Sequence, residues 1–181
     1  MKDFEVEIKG IVPLMHDRYP INALDTTKKK RRGTVFNPKE EMEKCLYRNS
    51  KGEIYQPSNH IEGALIKAGS TLVIPGAGRK TYKDLMKTNI AILPTEIMFE
   101  NRNKYELDLR KCVVPATKGA IPVARPVWKD WGAKFILRMF DETLIPKETM
   151  RSILETAGKE QGIGTYRPIF GRFEVIRFEE K

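Results

Sequence analysis

A glycine-rich basic loop near the C-terminus and two histidines carry most of the chemistry this sequence offers. The loop, GIGTYRPIFGRF (Gly162–Phe173), holds three glycines, two arginines and three aromatics in twelve residues. Gly162, Gly164 and Gly171 permit positive φ and close approach by another backbone. Their N–H groups can face an anion, as in other glycine-rich phosphate cradles. Arg167 and Arg172 add charge-assisted donors. Tyr166, Phe170 and Phe173 either stack on a base or pack beneath the loop, and packing is the commoner fate of such rings. Further cations fall in two clusters, Lys28, Lys29, Lys30, Arg31 and Arg32 in one and Arg79 and Lys80 in a Gly-Ala-Gly loop, with Arg18, Lys67 and Arg125 placed singly. His16 stands beside Arg18 and Tyr19, a trio with the groups needed to deprotonate a hydroxyl and steady a phosphorane. A lone histidine at a strand end is more often structural. His60 falls at a helix start, as a hydrogen-bonding terminal residue or a nucleic-acid contact.

The totals narrow the partner. Lys and Arg number 33 against 24 Asp and Glu, a formal charge of +9 over 181 residues. That balance favours polyanions, nucleic acid first. No run approaches the roughly 18 apolar residues of a membrane span, and MKDFEVEIKG places charges where a signal peptide has an apolar core. Cys45 and Cys112 form no Cys-x-x-Cys pair, and two histidines give a zinc site too few ligands, so neither a metal nor a cofactor is expected. A cytoplasmic protein with reduced thiols is the expectation.

Elements must position these groups. Phe4, Val6 and Ile8 alternate with charged residues, which predicts a strand with one buried face, running to about Leu14. Asn37 and Pro38 open a short helix. Residues 47–55 read as two extended arms around an Asn-Ser-Lys-Gly turn. Ile61, Ala64, Leu65 and Ala68 form one apolar helical stripe, with Asn59 and Glu62 as a capping box, Gly69 as the stop and Gly63 as a point of close backbone approach. A strand is expected within 89–98, an extended hairpin or arm within 100–131, and a strand from Ala133 to Phe140. A helix follows Pro146 on the stripe Met150, Ile153, Leu154 and Ala157, then the glycine loop and a last strand. The order strand, helix, strand, strand, helix, strand predicts an α+β fold, a ferredoxin-like or RRM-like βαββαβ domain whose antiparallel sheet carries two helices on one face. The whole chain, 1–181, is one such domain with large insertions at about 15–57 and 99–132. Glu5 and Glu7 on the open sheet face would repel phosphate, so loops and edges rather than an aromatic platform are expected to hold nucleic acid.

The loop GIGTYRPIFGRF, set after a helix and before a final strand, resembles the C-terminal glycine-rich signature of the RAMP superfamily of CRISPR proteins. The stretch YRNSKGEIYQPSNHIEGALIKAG is similar to a segment of the backbone subunits of CRISPR effector complexes, and FEVEIKGIVPL is similar to the family's first strand. The resemblance implies a ferredoxin-like fold, RNA as ligand and assembly with effector subunits. Some members cut target RNA with an aspartate shortly before the equivalent helix. Its nearest counterpart here, Glu43 to Cys45, contains none.

Three functions stand. The first is a non-catalytic protein gripping single-stranded RNA, or single-stranded DNA, by its backbone through Arg18, Lys28–Arg32, His60, Lys67, Arg79, Lys80, Arg125, Gly162, Gly164, Arg167, Gly171 and Arg172, with copies of itself or other subunits along the strand. The second is a metal-independent ribonuclease centred on His16. The third is a protein-interaction or assembly module of viral origin.

Overall fold

The computed structural model describes residues 1–19, 35–113, 116 and 118–181. In chain order the elements are β1 (Lys2–Gly10), β2 (Leu14–Met15), α1 (Pro38–Lys44), β3 (Gln56–Pro57), α2 (Ser58–Gly69), α3 (Lys83–Thr88), β4 (Ile90–Leu93), β5 (Glu96–Ile97), β6 (Glu106–Val113), β7 (Ala120–Trp128), β8 (Gly132–Met139), α4 (Lys147–Thr156) and β9 (Phe173–Glu180). A π-helical turn, Ala157–Gln161, prolongs α4.

Alternation decides the main sheet. Its strands lie in the order β4-β8-β1-β9, each neighbouring pair antiparallel. Phe4, Val6 and Ile8 of β1 and Ala133, Phe135, Leu137 and Met139 of β8 point inward and are buried. The stripes of α2 and α4 join them in one core, with Phe4 and Phe178 stacked at 4.7 Å. The outward residues of the same strands pair as ions. Arg138 donates two 2.7 Å hydrogen bonds to Asp3, Lys134 lies 3.1 Å from Glu7, and Arg177 lies 3.4 Å from Glu5. The open face is thus charged and largely self-neutralised, with no aromatic platform among the residues that line it. The architecture is mixed α+β with antiparallel sheets, compatible with a ferredoxin-like fold.

The remaining elements build one flank. β6 and β7 form an antiparallel hairpin, and β2 adds to it as a third strand. The base of the hairpin is anchored by Trp128, which is fully buried and donates its indole N–H to the Arg102 carbonyl at 2.9 Å. Its distal part carries exposed Leu109, Val113 and Ile121.

Several local expectations are corrected. β1 stops at Gly10, where a Cβ would fall 2.2 Å from the Trp131 indole nitrogen, and Leu14 and Met15 pair instead with Trp128 and Val127. α2 begins at Ser58 behind Pro57 without a side-chain cap. Glu62 is no capping-box residue: its carboxylate accepts from the Ile92 N–H at 3.3 Å and ties α2 to β4. No backbone approaches Gly63, since a Cβ there would meet open space. Gly69 is the last residue of α2, as expected, though without a positive φ. It lets α3 pack closely, because a Cβ would fall 2.7 Å from the Met86 side chain.

Candidate nucleic-acid interface

The glycine loop folds against the segment that follows β1. Gly162 leaves the π-turn with φ 67°, Gly164 has φ 80° and Gly171 φ 76°. A Cβ on Gly164 would stand 2.4 Å from the Met15 carbonyl, and one on Gly171 1.8 Å from that of Ile163. Backbone bonds explain the closeness. Gly171 N–H donates to the Pro13 carbonyl at 2.8 Å, Thr165 N–H to Met15 at 2.9 Å, Ile163 N–H to Gly171 at 2.9 Å and Gly162 N–H to Ala157 at 2.9 Å. The N–H groups of Gly162 and Gly171 are therefore satisfied within the chain rather than turned toward an anion. These glycines let main chain meet main chain.

The loop's aromatics hold the hairpin. Phe173 enters the main core, while Phe170 joins Met15 and Val127 in a smaller cluster edged by Tyr166. The Arg110 guanidinium sits 4.7 Å from the Phe170 ring centre, and that of Arg125 sits 4.8 Å from the Tyr166 centre. Arg125 also donates to Asp17 at 2.7 Å, and Arg110 is held by Asp108 of its own strand. Each cation–π contact is worth about 0.5–1 kcal/mol at an exposed site and more where the cation is desolvated, as the mostly buried Arg125 is. Arg110 and Asp17 were not picked out by sequence reading. The alternation of β6, which puts Asp108, Arg110 and Cys112 on one face, was the available signal.

Behind the loop lies a buried polar chain. His16 is fully buried against Tyr47, Phe99 and Trp128. Its Nε2 is 2.9 Å from Gln56 Oε1, and Gln56 Nε2 is 2.8 Å from His60 Nδ1. Burial pushes the His16 pKa down to about 3. Burial, with the nearby Arg167 charge adding to it, pushes the half-buried His60 down to about 4. Both imidazoles are neutral at pH 7. A histidine sealed in this way cannot touch a ribose hydroxyl, so the trio of His16, Arg18 and Tyr19 does not assemble as a surface acid–base site. Cys45 is no alternative nucleophile: burial, then the Asp17 charge, raise its thiol to about 11.

The predicted cations are spread over several elements. Arg167 lies close enough to His60 for its charge to act on that ring, Arg125 stacks on Tyr166 of the same loop, and the Arg172 carbonyl accepts from the Ile11 N–H just beyond β1. Arg18, its backbone N–H bonded to the Cys45 carbonyl, lies in a groove of about 660 Å³ lined also by Asp17, Phe36, Lys44 and Pro122. Arg18, Arg167 and Arg172 have no ion-pair partner among the described residues. Lys67 sits in the last turn of α2, and the loop bearing Arg79 and Lys80 follows it. Seven residues of helix separate Lys67 from His60, about 10 Å along the axis. Among the described residues no contact joins Lys67, Arg79 or Lys80 to Arg125, Arg167, Arg172 or His60. Lys28, Lys29, Lys30, Arg31 and Arg32 lie outside the described residues. Among the described residues no cluster of three His, Cys, Asp or Glu could hold a metal ion, and no helix is long and apolar enough to cross a membrane.

No family model matches this sequence, and no curated protein matches it. Among solved structures, a chain from the cryo-EM structure of the type III-B Cmr-beta bound to cognate target RNA matches over 99% of this chain and 60% of its own, at 16% identity and a TM-score of 0.51. The crystal structure of a CRISPR protein from Archaeoglobus fulgidus matches over 99% of this chain and 64% of its own, at 13% identity and a TM-score of 0.43. The chain spans less than two thirds of either. The first of these likenesses is one of fold alone.

Proposed function

We propose that this protein is a non-catalytic, CRISPR-type RNA-binding protein that grips the sugar-phosphate backbone of a single strand. We read its main sheet with α2 and α4 as the ferredoxin-like βαββαβ unit. The observation that carries the proposal is the basic glycine loop, with Arg167 beside His60 and Arg125 stacked on Tyr166, on a fold shared with a chain of a complex bound to target RNA. Arg167 is exposed at the tip of the glycine loop, and the loop is fixed on both sides, to Pro13 and Met15 by backbone bonds and to the hairpin by Arg110 and Arg125. A preorganised cation loses little entropy on meeting a phosphate. Backbone contacts of this kind position a strand but carry little sequence information.

A salt titration tests the reading. For a single-stranded RNA the logarithm of affinity falls with the logarithm of salt at about −0.7 per neutralised phosphate. Three to four contacts give a slope near −2 to −3, and a flat response removes the proposal. The burial of His16 favours binding over cleavage, and labelled RNA is expected to stay intact in EDTA.

A second reading concerns partners. Leu109, Val113 and Ile121 of the hairpin are 55%, 53% and 47% exposed, a set of large apolar residues on one projecting element. They favour docking against neighbouring effector subunits in addition to RNA binding. Substituting Leu109 and Val113 by Ser is expected to abolish any co-purified complex while leaving RNA affinity unchanged.

A further inference from the structure

His16 and Gln56, the inner members of a buried chain that ends on His60, have no role in the binding scheme above. Three polar side chains removed from water need a reason, because each loses its hydration and must recover it in hydrogen bonds. Gln56 is 1% exposed and His16 is 0% exposed, and His16 Nδ1 has no partner at all.

The direction of the chain follows from its ends. Gln56 Nε2 lies 3.4 Å from the Pro57 carbonyl oxygen, so the amide nitrogen must face that side; reversing the amide would set two oxygens against each other. Its oxygen then accepts from His16 Nε2–H. The bare atom of His16 is thereby a lone pair rather than an N–H, the less costly group to leave unmet in a buried site. Its nitrogen donates to His60 Nδ1, which must be the unprotonated nitrogen of that ring. The proton of His60 therefore sits on Nε2. Among the described residues its one hydrogen-bonding contact is the Tyr47 hydroxyl, at 3.5 Å, beyond the range of a well-formed hydrogen bond.

We infer that Gln56, itself oriented by His16 and the Pro57 carbonyl, locks half-buried His60 as a neutral Nε2–H donor beside Arg167, and that this donor binds an oxygen of the RNA sugar-phosphate backbone. The inference rests on the RNA-binding reading and assigns His60 a function separate from that of the arginines. An arginine contributes charge and releases counterions. A neutral imidazole contributes a directed hydrogen bond without altering the ion atmosphere. The acceptor is a 2′-hydroxyl or a non-bridging phosphate oxygen, both of which take such a donor. Tyr47, whose hydroxyl lies on the same side of the ring, confines where that oxygen can sit.

Affinity for a labelled single-stranded RNA, measured over a range of salt, separates the alternatives. His60→Phe keeps the ring and removes the donor. It is expected to weaken binding about three- to tenfold, the loss of one hydrogen bond, with the salt slope unchanged. His60→Gln carries an amide N–H near the place of Nε2 and is expected to recover most of that loss. Arg167→Ala is expected to make the slope shallower by about 0.7. A deoxy oligonucleotide of the same sequence tells the acceptors apart: the His60→Phe penalty vanishes on DNA if the acceptor is the 2′-hydroxyl and persists if it is phosphate. Imidazole nitrogen shifts of the free wild type, read by NMR, are expected to show His60 protonated on Nε2 alone. Wild-type affinity in His60→Phe, failure of His60→Gln to recover, or a proton on Nδ1 each overturns the inference while RNA binding stands. Absence of RNA binding by the wild type overturns the function on which it rests.

Discussion

At the scale of single residues, His16 shows how far burial can remake a side chain. In an unfolded chain its imidazole titrates near 6.5. In the fold, burial among Tyr47, Phe99 and Trp128 moves the value to about 3. The unfolded state therefore takes up a proton that the folded state refuses at any pH between the two. The stability that neutral His16 confers is complete above pH 6.5 and is lost as pH falls from there toward 3, with a slope of about 1.4 kcal/mol per pH unit. His60, held near 4, adds a second contribution over a narrower window. Urea denaturation at a series of pH values is expected to show a shallower acid limb for His16→Met, by about that slope between pH 4 and 6. Identical limbs for the two proteins refute the assignment. In sequence, a histidine following a two-residue strand looks the same whether sealed or exposed.

At the scale of elements, Gly63 and Gly171 stand at opposite extremes of what a glycine is needed for. Gly63 lies inside α2 with open space where its Cβ would be and no positive φ, so Gly63→Ala is expected to stabilise the protein by about 0.5–1 kcal/mol. Gly171 has φ 76° and its Cβ would strike the Ile163 carbonyl. Gly171→Ala is expected to destabilise by about 1–3 kcal/mol or more, through strain and displaced backbone together. Denaturant midpoints of the two variants should move in opposite directions. A loss of stability in Gly63→Ala would reveal a contact over that helix. The glycine loop's place after a helix and before a strand was legible, because helical and strand periodicities bracket it. The docking of Thr165 and Gly171 was not, because the acceptors of their N–H groups, Met15 and Pro13, lie about 150 residues away in the chain.

At the scale of the whole molecule, charge is distributed unevenly in function though not in number. The open face of the main sheet carries Lys134, Arg138 and Arg177, yet each is matched by Glu7, Asp3 or Glu5. Arg18, Arg167 and Arg172 lack such matching among the described residues. Lys134→Glu is therefore expected to leave RNA affinity within about twofold of wild type at physiological salt, where the Debye length is about 8 Å. Arg167→Ala is expected to weaken it more. The reverse order would move the binding surface from the loops to the sheet. Lys67, Arg79 and Lys80, at the far end of α2, are expected to act only through net charge.

The alternation of Phe4, Val6 and Ile8, the stripes from Ile61 and Met150, and the turn residues Asn37, Pro38 and Gly52 determined by themselves that β1, α1, α2, α4 and the turn at Gly52 would form. Those signals are local, since burial of one face repeats with the period of the element that buries it. The tertiary structure alone decided that the glycine loop would clasp the chain's own backbone, that Arg125 would meet Asp17 and Tyr166, and that Gln56 would join His16 to His60. These pairings span tens to more than a hundred residues. Packing of the elements brings such partners within reach, and no periodicity along the chain encodes it.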